Sequence, residues 1–243
     1  MLNIVKKMTA KQNDNWNNPG VSIAFLGDSV TQGCFELYMK TKDEIETYFD
    51  KNSAYHNYLA KIFSVIYPNV PVNIINAGIS GGNAPHGLER LERDVLSYNP
   101  DLVVVCFGLN DSGSGLDNIG NYTDALDKIF KKVKDSGTDV IFMTPNMMCT
   151  GISCHLKEPK FIEIAEGTTK TQNEGILEKY LNEAKNVCAK YDIPVCDCYA
   201  KWKQLYKCGV DINELLSNKI NHPTREMNWL FAYSLAETIM SAE

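Results

Sequence analysis

The sequence predicts a single α/β domain built around a doubly wound parallel sheet, and three observations lead to this fold class. First, a length of 243 residues suits one large domain with a full hydrophobic core. Second, five short runs of apolar residues occur along the chain, most of them rich in Val and Ile. Third, amphipathic segments of helical length separate these runs. Strict alternation of strands and helices predicts three layers, with helices on both faces of the sheet.

The five predicted strands are apolar at successive positions, as expected of strands buried on both faces of a parallel sheet. They cover 21–26, 70–76, 102–107, 140–144 and 194–198. Apolar residues recur at helical spacing over 55–66, 88–96, 122–133, 176–187 and about 224–239. Pro68, Pro100 and Gly137 end the first three of these helices. In such a sheet the ligand crevice lies outside the carboxyl ends of the strands, at the topological switch point.

Two segments fall outside this alternation. Residues 1–20 are predicted to be an N-terminal extension, which leaves a single domain over 21–243. Residues 145–172 form a long irregular stretch between a strand and its helix. Loops of that length inside a compact domain are often lids or binding loops. A solvated insertion is the alternative, and we favour a wall that faces the substrate.

Charge and hydropathy restrict the classes of partner. The net charge of -6 and the pI near 5.3 argue against a nucleic-acid-binding protein. No run of eighteen apolar residues occurs, so we expect no membrane span. The first twenty residues lack the apolar core of a signal peptide, and a cytoplasmic location is therefore the expectation. The oligomeric state is left open, a homo-oligomer included.

The eight cysteines are predicted to be structural free thiols. Cys106 lies inside an apolar strand and Cys188 inside a helical pattern, where a thiol packs as a small apolar group. Cys196 and Cys198 are one residue too close for a CxxC redox motif. Cys149 and Cys154 lack the second pair of ligands that a zinc site needs.

Two polar positions follow the first two strands. Ser29 ends the Gly-Asp-Ser motif at 27–29 and opens a turn, where a helix N-terminus favours developing negative charge. It is a candidate nucleophile whose own N–H contributes to an oxyanion hole, although serine is also a common N-cap. Gly78 follows the second strand in a glycine-rich turn. Its N–H is a candidate oxyanion donor, and an ordinary turn is the alternative.

Two further positions complete the set. Asn110 follows the third strand, and its side-chain amide is able to donate to an oxyanion, although Asn is also a common turn residue. His222 precedes Pro223 and the last helix, and an imidazole there is a candidate general base. A solvated loop histidine is the alternative, and His155 is the second choice as the base.

The four motifs resemble, in their order and placement, those of the GDSL esterase/lipase family, also called SGNH hydrolases. The resemblance covers nearly the whole domain. It implies that Ser29 is the nucleophile, that the Ser29 and Gly78 N–H groups and the Asn110 side chain form the oxyanion hole, and that His222 is the base. It also implies a flavodoxin-like α/β/α fold with a five-stranded sheet, no cofactor and no metal.

The pattern departs from the family at one position. Family members usually carry an Asp three residues before the histidine, whereas this chain has Lys219 there. A lysine donates hydrogen bonds and accepts none, so it is unable to orient the ring of His222. Asn218 is one candidate to orient the ring, through its amide oxygen. A backbone carbonyl is the other, in which case Ser29 and His222 form a dyad.

These residues predict a serine acylhydrolase that acts on a small-molecule ester through an acyl-serine intermediate. We favour a small acyl ester on a carbohydrate or other polar molecule, because no long acyl tunnel is visible in the sequence and family members often deacetylate sugars. A lysophospholipase or thioesterase with the same fold is the alternative enzyme, and transfer to an alcohol other than water stays open. A catalytically decayed binding module, suggested by the missing Asp, is the alternative from another class.

Overall fold

The computed structural model describes residues 1–242, so Glu243, the last residue of the predicted domain, lies outside the described residues. The strands within the described residues are β1 Val21–Gly27, β2 Cys34–Met39, β3 Ile45–Phe49, β4 Val72–Gly78, β5 Leu102–Cys106, β6 Asp139–Met143 and β7 Val195–Cys196. The α-helices are α1 Asn3–Asn13, α2 Ser29–Gln32, α3 Tyr55–Ile66, α4 Ala84–Asp94, α5 Leu109–Ser112, α6 Ile119–Asp135, α7 Pro159–Asn173, α8 Ile176–Ala189, α9 Cys198–Lys207 and α10 Asn228–Ser241.

Five of the strands form a parallel sheet in the order β4-β1-β5-β6-β7. The predicted fold class, a flavodoxin-like doubly wound sheet, is confirmed. Gly27 at the end of β1 pairs with Gly78 of β4 on one side and with Cys106 of β5 on the other. The three strands therefore end at the same level, and the segments that follow them meet at the switch point of the sheet.

The sheet separates two hydrophobic clusters, as its alternating side chains require. Ile23 and Phe25 of β1 belong to the cluster that includes residues of α1, α3 and α10, whereas Ala24 and Leu26 belong to the cluster that includes residues of α6 and α8. All four of these β1 side chains are fully buried. This burial on both faces explains why the strand is apolar at successive positions.

Several elements differ from the sequence-based expectation. Residues 3–13 form α1 rather than a bare extension, and its Ile4, Val5 and Met8 are buried in the core. The long stretch 145–172 contains most of α7, which buries Phe161 and Ala165 among other residues. Strand β7 is shorter than predicted, because the Asp197 side chain caps α9 by accepting a hydrogen bond from the N–H of Ala200.

A β-hairpin absent from the prediction stands beside the main sheet. β2 and β3 pair with each other in antiparallel fashion and form a separate two-stranded sheet directly after α2. Because α2 follows the end of β1, the hairpin rises from the edge of the sheet at which the predicted site residues lie.

Two general properties of the chain can be stated for the described residues. None of the helices within residues 1–242 combines the length and the apolarity needed to cross a membrane. All eight cysteines are free thiols, and six of them are buried.

Candidate active site

Ser29 opens the short helix α2 immediately after the central strand β1. The side chain of Asp28 caps this helix, since its Oδ1 accepts a hydrogen bond of 3.0 Å from the N–H of Val30. Helix α3 supports α2 from behind, because His56 Nε2 donates to the carbonyl of Thr31 over 3.1 Å. Ser29 itself is only 5% exposed. The hydroxyl is therefore held at a rigid helix start with little contact with solvent.

His222 lies against this hydroxyl. Its Nε2 is 2.9 Å from Ser29 Oγ, and its Nδ1 is 2.8 Å from the backbone carbonyl oxygen of Phe35. A carbonyl oxygen only accepts hydrogen bonds, so Nδ1 carries the proton of the neutral ring. The lone pair of Nε2 then faces Ser29, which is the tautomer that a general base requires.

The carbonyl of Phe35, at the start of β2, thus occupies the place at which a triad has its acidic residue. Asn218, the candidate side chain for that place, lies elsewhere. Its Oδ1 accepts the backbone N–H groups of Ile220, Asn221 and His222 at 3.0, 2.9 and 2.9 Å. Asn218 therefore holds the backbone of the histidine loop and does not contact the imidazole nitrogens.

Lys219 also points away from the ring. Its Nζ lies 2.9 Å from the carboxylate of Glu214, and its φ of 58° places it in the left-handed region. As the sequence predicts, this lysine does not orient the ring of His222. Of the two alternatives left open by the sequence, the structure has the backbone carbonyl at Nδ1.

Asn110 lies at the end of β5, inside the short helix α5. Its Nδ2 donates a hydrogen bond of 2.8 Å to the carbonyl of Gly82. This contact uses one of the two amide protons and fixes the plane of the side chain. The second N–H group remains to donate to a ligand.

The expectation for Gly78 requires correction. Its N–H already donates to Asn76 Oδ1 over 3.0 Å, and the residue is buried. A Cβ at this position would lie 2.3 Å from the backbone N of Gln32, so glycine is needed here because β4 packs directly against α2. Gly78 therefore serves packing, and its N–H is not available to an oxyanion.

Gly81, which the sequence argument did not single out, has the properties expected of the donor. It is exposed, adopts a φ of 75°, and its N–H has no acceptor among the described residues. The turn around it is fixed on both sides. The N–H of Ser80 donates to Gln32 Oε1 of α2 over 2.7 Å, and the carbonyl of Gly82 accepts from Asn110. The Gly81 N–H therefore lies between the serine helix and the asparagine.

Comparison with known proteins agrees with this geometry. The profile of the GDSL-like lipase/acylhydrolase family matches residues 25–230, which include every predicted site residue. The chain belongs to this family.

Two characterised relatives of this GDSL-family chain are esterases by name. An acetylxylan esterase from Geobacillus stearothermophilus is 27% identical over 136 residues, which span 52% of this chain and 60% of that protein. An arylesterase from Vibrio mimicus is 38% identical over 72 residues, which span 30% of this chain and 36% of that protein. The aligned segments thus cover less than two thirds of either relative.

Solved structures show the same fold. The acetylxylan esterase from Geobacillus stearothermophilus superposes with a TM-score of 0.67 at 19% identity, over 91% of this chain and 94% of that one. A two-domain esterase active on acetylated mannans superposes with a TM-score of 0.67 at 18% identity, over 100% of this chain and 53% of that one. At such identities the likeness concerns the fold.

Burial sets the charge state of the titratable groups in the GDSL-family site. Loss of solvent lowers the pKa of His222 to about 4, partly opposed by the hydrogen bond to Phe35 and the charge of Glu36. Burial raises the pKa of Asp28 to about 7 and that of Asp111 to about 6. His222 is therefore neutral at pH 7. Asp111 is placed to brace α4, because its Oδ1 accepts the N–H of Ala84 over 2.9 Å.

A cleft of about 570 Å³ opens beside Asn110 and is bounded by α7. Six of its eleven lining residues have polar side chains: Asn110, Lys160, Glu163, Thr168, Thr171 and Asn221. Lys160 also donates to the carbonyl of Asp43, so α7 meets the turn of the β2–β3 hairpin beside the cleft. Within residues 1–242, no three His, Cys, Asp or Glu side chains are grouped closely enough to hold a metal ion.

Proposed function

We propose that this chain is a serine esterase that hydrolyses small acyl esters through an acyl-serine intermediate. One observation carries the proposal: His222 joins Ser29 Oγ on one side and the Phe35 carbonyl on the other, at 2.9 and 2.8 Å. This arrangement fixes the tautomer that a base needs and leaves the hydroxyl as its hydrogen-bond donor.

In the first half of the reaction, Ser29 Oγ attacks the acyl carbon while its proton passes to Nε2 of His222. The ester oxygen leaves with that proton as the alcohol, and the acyl group remains on Ser29. In the second half, a water molecule gives a proton to Nε2 and attacks the acyl carbon. Ser29 Oγ then recovers the proton, and the acid is released. The Phe35 carbonyl stabilises the imidazolium that forms in each half.

The negative oxygen of each tetrahedral intermediate needs fixed donors. The N–H of Ser29 at the start of α2, the free N–H of the Asn110 side chain and the N–H of Gly81 supply them. The Ile79–Gly82 turn is bonded both to α2 and to Asn110, which supports convergence of the three groups on one point. The role expected for Gly78 thereby passes to Gly81.

A carbohydrate is the favoured alcohol part of the substrate. The polar side chains of the 570 Å³ cleft suit the hydroxyl groups of a sugar, and the volume greatly exceeds that of an acetyl group. The relatives named for acetylated xylan and acetylated mannan support the same class. We infer that the 145–172 segment, through α7, forms the wall of this cleft.

The alternatives make different predictions. A lysophospholipase or thioesterase needs an extended apolar acyl site, whereas polar side chains are interspersed through the cleft beside Asn110, at six of its eleven lining residues. A decayed binding module has no need of the Ser29–His222 hydrogen bond, which is present here. The cytoplasmic location and the oligomeric state stay predictions from the sequence.

The test is hydrolysis of p-nitrophenyl esters from acetate to decanoate by the wild type and by Ser29→Ala. We expect the wild type to favour acetate and the variant to lose activity to background. Release of acetate from acetylated xylo-oligosaccharides then tests the carbohydrate. Full activity of Ser29→Ala would refute the proposal, and a preference for decanoate would refute the small acyl group. Addition of a competing alcohol distinguishes hydrolysis from acyl transfer.

A further inference from the structure

Arg225, three residues after His222, makes an unusual set of contacts. Its Nη1 and Nη2 donate to the two carboxylate oxygens of Glu36 at 2.6 and 3.1 Å. Its Nε donates to Oδ2 of Asp50 at 3.0 Å. The guanidinium carbon also lies 4.3 Å from the centroid of the Phe35 ring. One side chain thus contacts both chain segments at the open end of the β2–β3 hairpin, including the residue whose carbonyl holds the imidazole.

The backbone pairing of the hairpin determines the position of the Phe35 carbonyl only in part. The hairpin forms a two-stranded sheet of its own, and a two-stranded hairpin depends for its stability on contacts with the rest of the domain. Its pairing is also irregular between Cys34 and Leu37, which is where Phe35 and Glu36 lie. The regular ladder is therefore interrupted at the residue that carries the carbonyl. Burial of the Phe35 ring, the bond from Thr47 Oγ1 to the Glu36 carbonyl and the contacts of Arg225 together hold this stretch.

A displaced carbonyl has direct consequences for His222. Without the hydrogen bond at Nδ1, only packing and the contact with Ser29 orient the buried ring, and the proton is no longer confined to Nδ1. A misplacement of about 1 Å in a reacting group costs about 10²-fold in rate. In most enzymes of this family an acidic side chain on the histidine loop holds the ring, and here Lys219 stands in that place.

We propose that Arg225 is a positioning residue that, through Glu36 and Asp50, fixes the Phe35 carbonyl against Nδ1 of His222. The fork to Glu36 holds β2 at the residue next to Phe35, and the contact with Asp50 holds the chain where it leaves β3, at the same open end of the hairpin. Because Arg225 belongs to the same loop as His222, the two partners of the hydrogen bond are tied together directly. This proposal rests on the esterase function proposed above.

The charges of the group are also suited to the reaction. Arg225, Glu36 and Asp50 together carry a net charge of -1 at neutral pH, since two carboxylates face one guanidinium. Burial lowers the pKa of His222, and the charge of Glu36 partly opposes this effect, which favours the imidazolium formed during acyl transfer. The negative charge that the missing Asp would supply is thus present on β2, one residue from the carbonyl.

The test compares Arg225→Gln, Arg225→Lys and Glu36→Gln with the wild type on p-nitrophenyl acetate. We expect kcat to fall about 10- to 100-fold in Arg225→Gln with little change in KM, because positioning acts on the transition state. Arg225→Lys keeps the positive charge but loses the two-pronged contact with Glu36, so its kcat should lie between those of the wild type and Arg225→Gln. Arg225→Gln combined with Glu36→Gln should lose no more than the worse single variant, since both act on one contact.

Lys185→Met is the matched control. Lys185 pairs with Asp197 at 2.5 Å, and both side chains are about as exposed as those of Arg225 and Asp50, yet the pair lies on α8 and the start of α9. This variant should keep the wild-type kcat. Thermal melting of every variant separates a misplaced Phe35 carbonyl from a loss of folding. If Arg225→Gln does not fold, Glu36→Gln takes its place in the test.

A second readout is independent of turnover. The Nδ1 proton of His222, held by a carbonyl, should give a downfield proton resonance in the wild type and lose it in Arg225→Gln. Retention of that resonance together with a kcat within twofold of the wild type would overturn the proposal. Equal losses in Lys185→Met and Arg225→Gln would also overturn it. If the wild type itself hydrolyses no ester, the proposed function fails, and the resonance alone then decides the positioning role.

Discussion

Replacement of Asn110 by alanine tests the oxyanion hole with the least disturbance of the fold. The side chain makes one intramolecular hydrogen bond, from Nδ2 to the carbonyl of Gly82 at 2.8 Å, and has a second N–H group for the substrate. Removal of one such donor costs about 10²–10³ in kcat, or about 2.7–4 kcal/mol of transition-state stabilisation. KM should change little, because the oxyanion is absent from the ground state.

The cost in stability is separate and smaller. The hydrogen bond to Gly82 contributes about 0.5–1.5 kcal/mol net, and Asn110 is only half-buried, so water is able to replace part of it. A change of that size lowers the Tm of a chain of this length by only a few degrees. The predicted result is therefore a large loss of rate in a protein that still folds.

The assay is steady-state hydrolysis of p-nitrophenyl acetate, with a thermal melt of the same preparation. Asn118→Ala is the matched control, because Asn118 Nδ2 donates to the carbonyl of Ser114 at the same 2.8 Å in an exposed position. The control should keep the wild-type kcat. A kcat for Asn110→Ala within threefold of the wild type, or an equal loss in Asn118→Ala, would refute the reasoning.

Four further predictions concern the groups around the dyad. Burial lowers the pKa of His222 to about 4, so the imidazole is a neutral base above that pH. The acidic limb of the pH profile of kcat/KM should therefore lie near 4, and a limb near 6.5 would contradict this. Gly81→Ala should lower kcat, since its φ of 75° strains alanine by about 1–2 kcal/mol and relief of that strain displaces the N–H, although no atom lies within 4 Å of the new Cβ; unchanged kinetics would contradict this displacement. Gly78→Ala should instead lower the Tm sharply, because its Cβ would overlap α2, and an undisturbed melt would contradict the packing role. Asn218→Ala leaves two buried N–H groups and one part-buried N–H group without an acceptor, and should cost on the order of 3 kcal/mol of unfolding free energy by denaturant titration. Asn218→Asp keeps the acceptor and should recover most of that stability; equal stabilities of the two variants would argue against the loop role.

The sheet and most of its helices were predictable because their apolar residues follow the period of the element. α7 was not, since it contains Gly167 and adjacent threonines with low helix propensity, and it buries only Phe161, Ala165 and Gln172. α1 was not predicted for a related reason, because residues 3–13 are mostly polar and contain only a few apolar residues. Tertiary packing against the core stabilises both helices, and a single sequence does not display that packing.

The polar groups of the site were predictable to the extent that they are side chains. Ser29, Asn110 and His222 each follow a recognisable motif, and the structure brings Ser29 and His222 into contact. The group that orients the His222 ring is a backbone carbonyl, which any residue would supply. The identity of Phe35 therefore does not predict this role. The sequence also shows three glycines after β4 without showing which of them has a free N–H, and it was the fold that separated Gly81 from Gly78.

The most direct test of the account is covalent labelling by a fluorophosphonate, followed by mass spectrometry of the digested protein. We expect one adduct, on the peptide that contains Ser29. Its rate of formation should fall by about 10³-fold or more in His222→Ala, because the hydroxyl then lacks its base. An adduct on another residue, or an equal rate of labelling in His222→Ala, would contradict it.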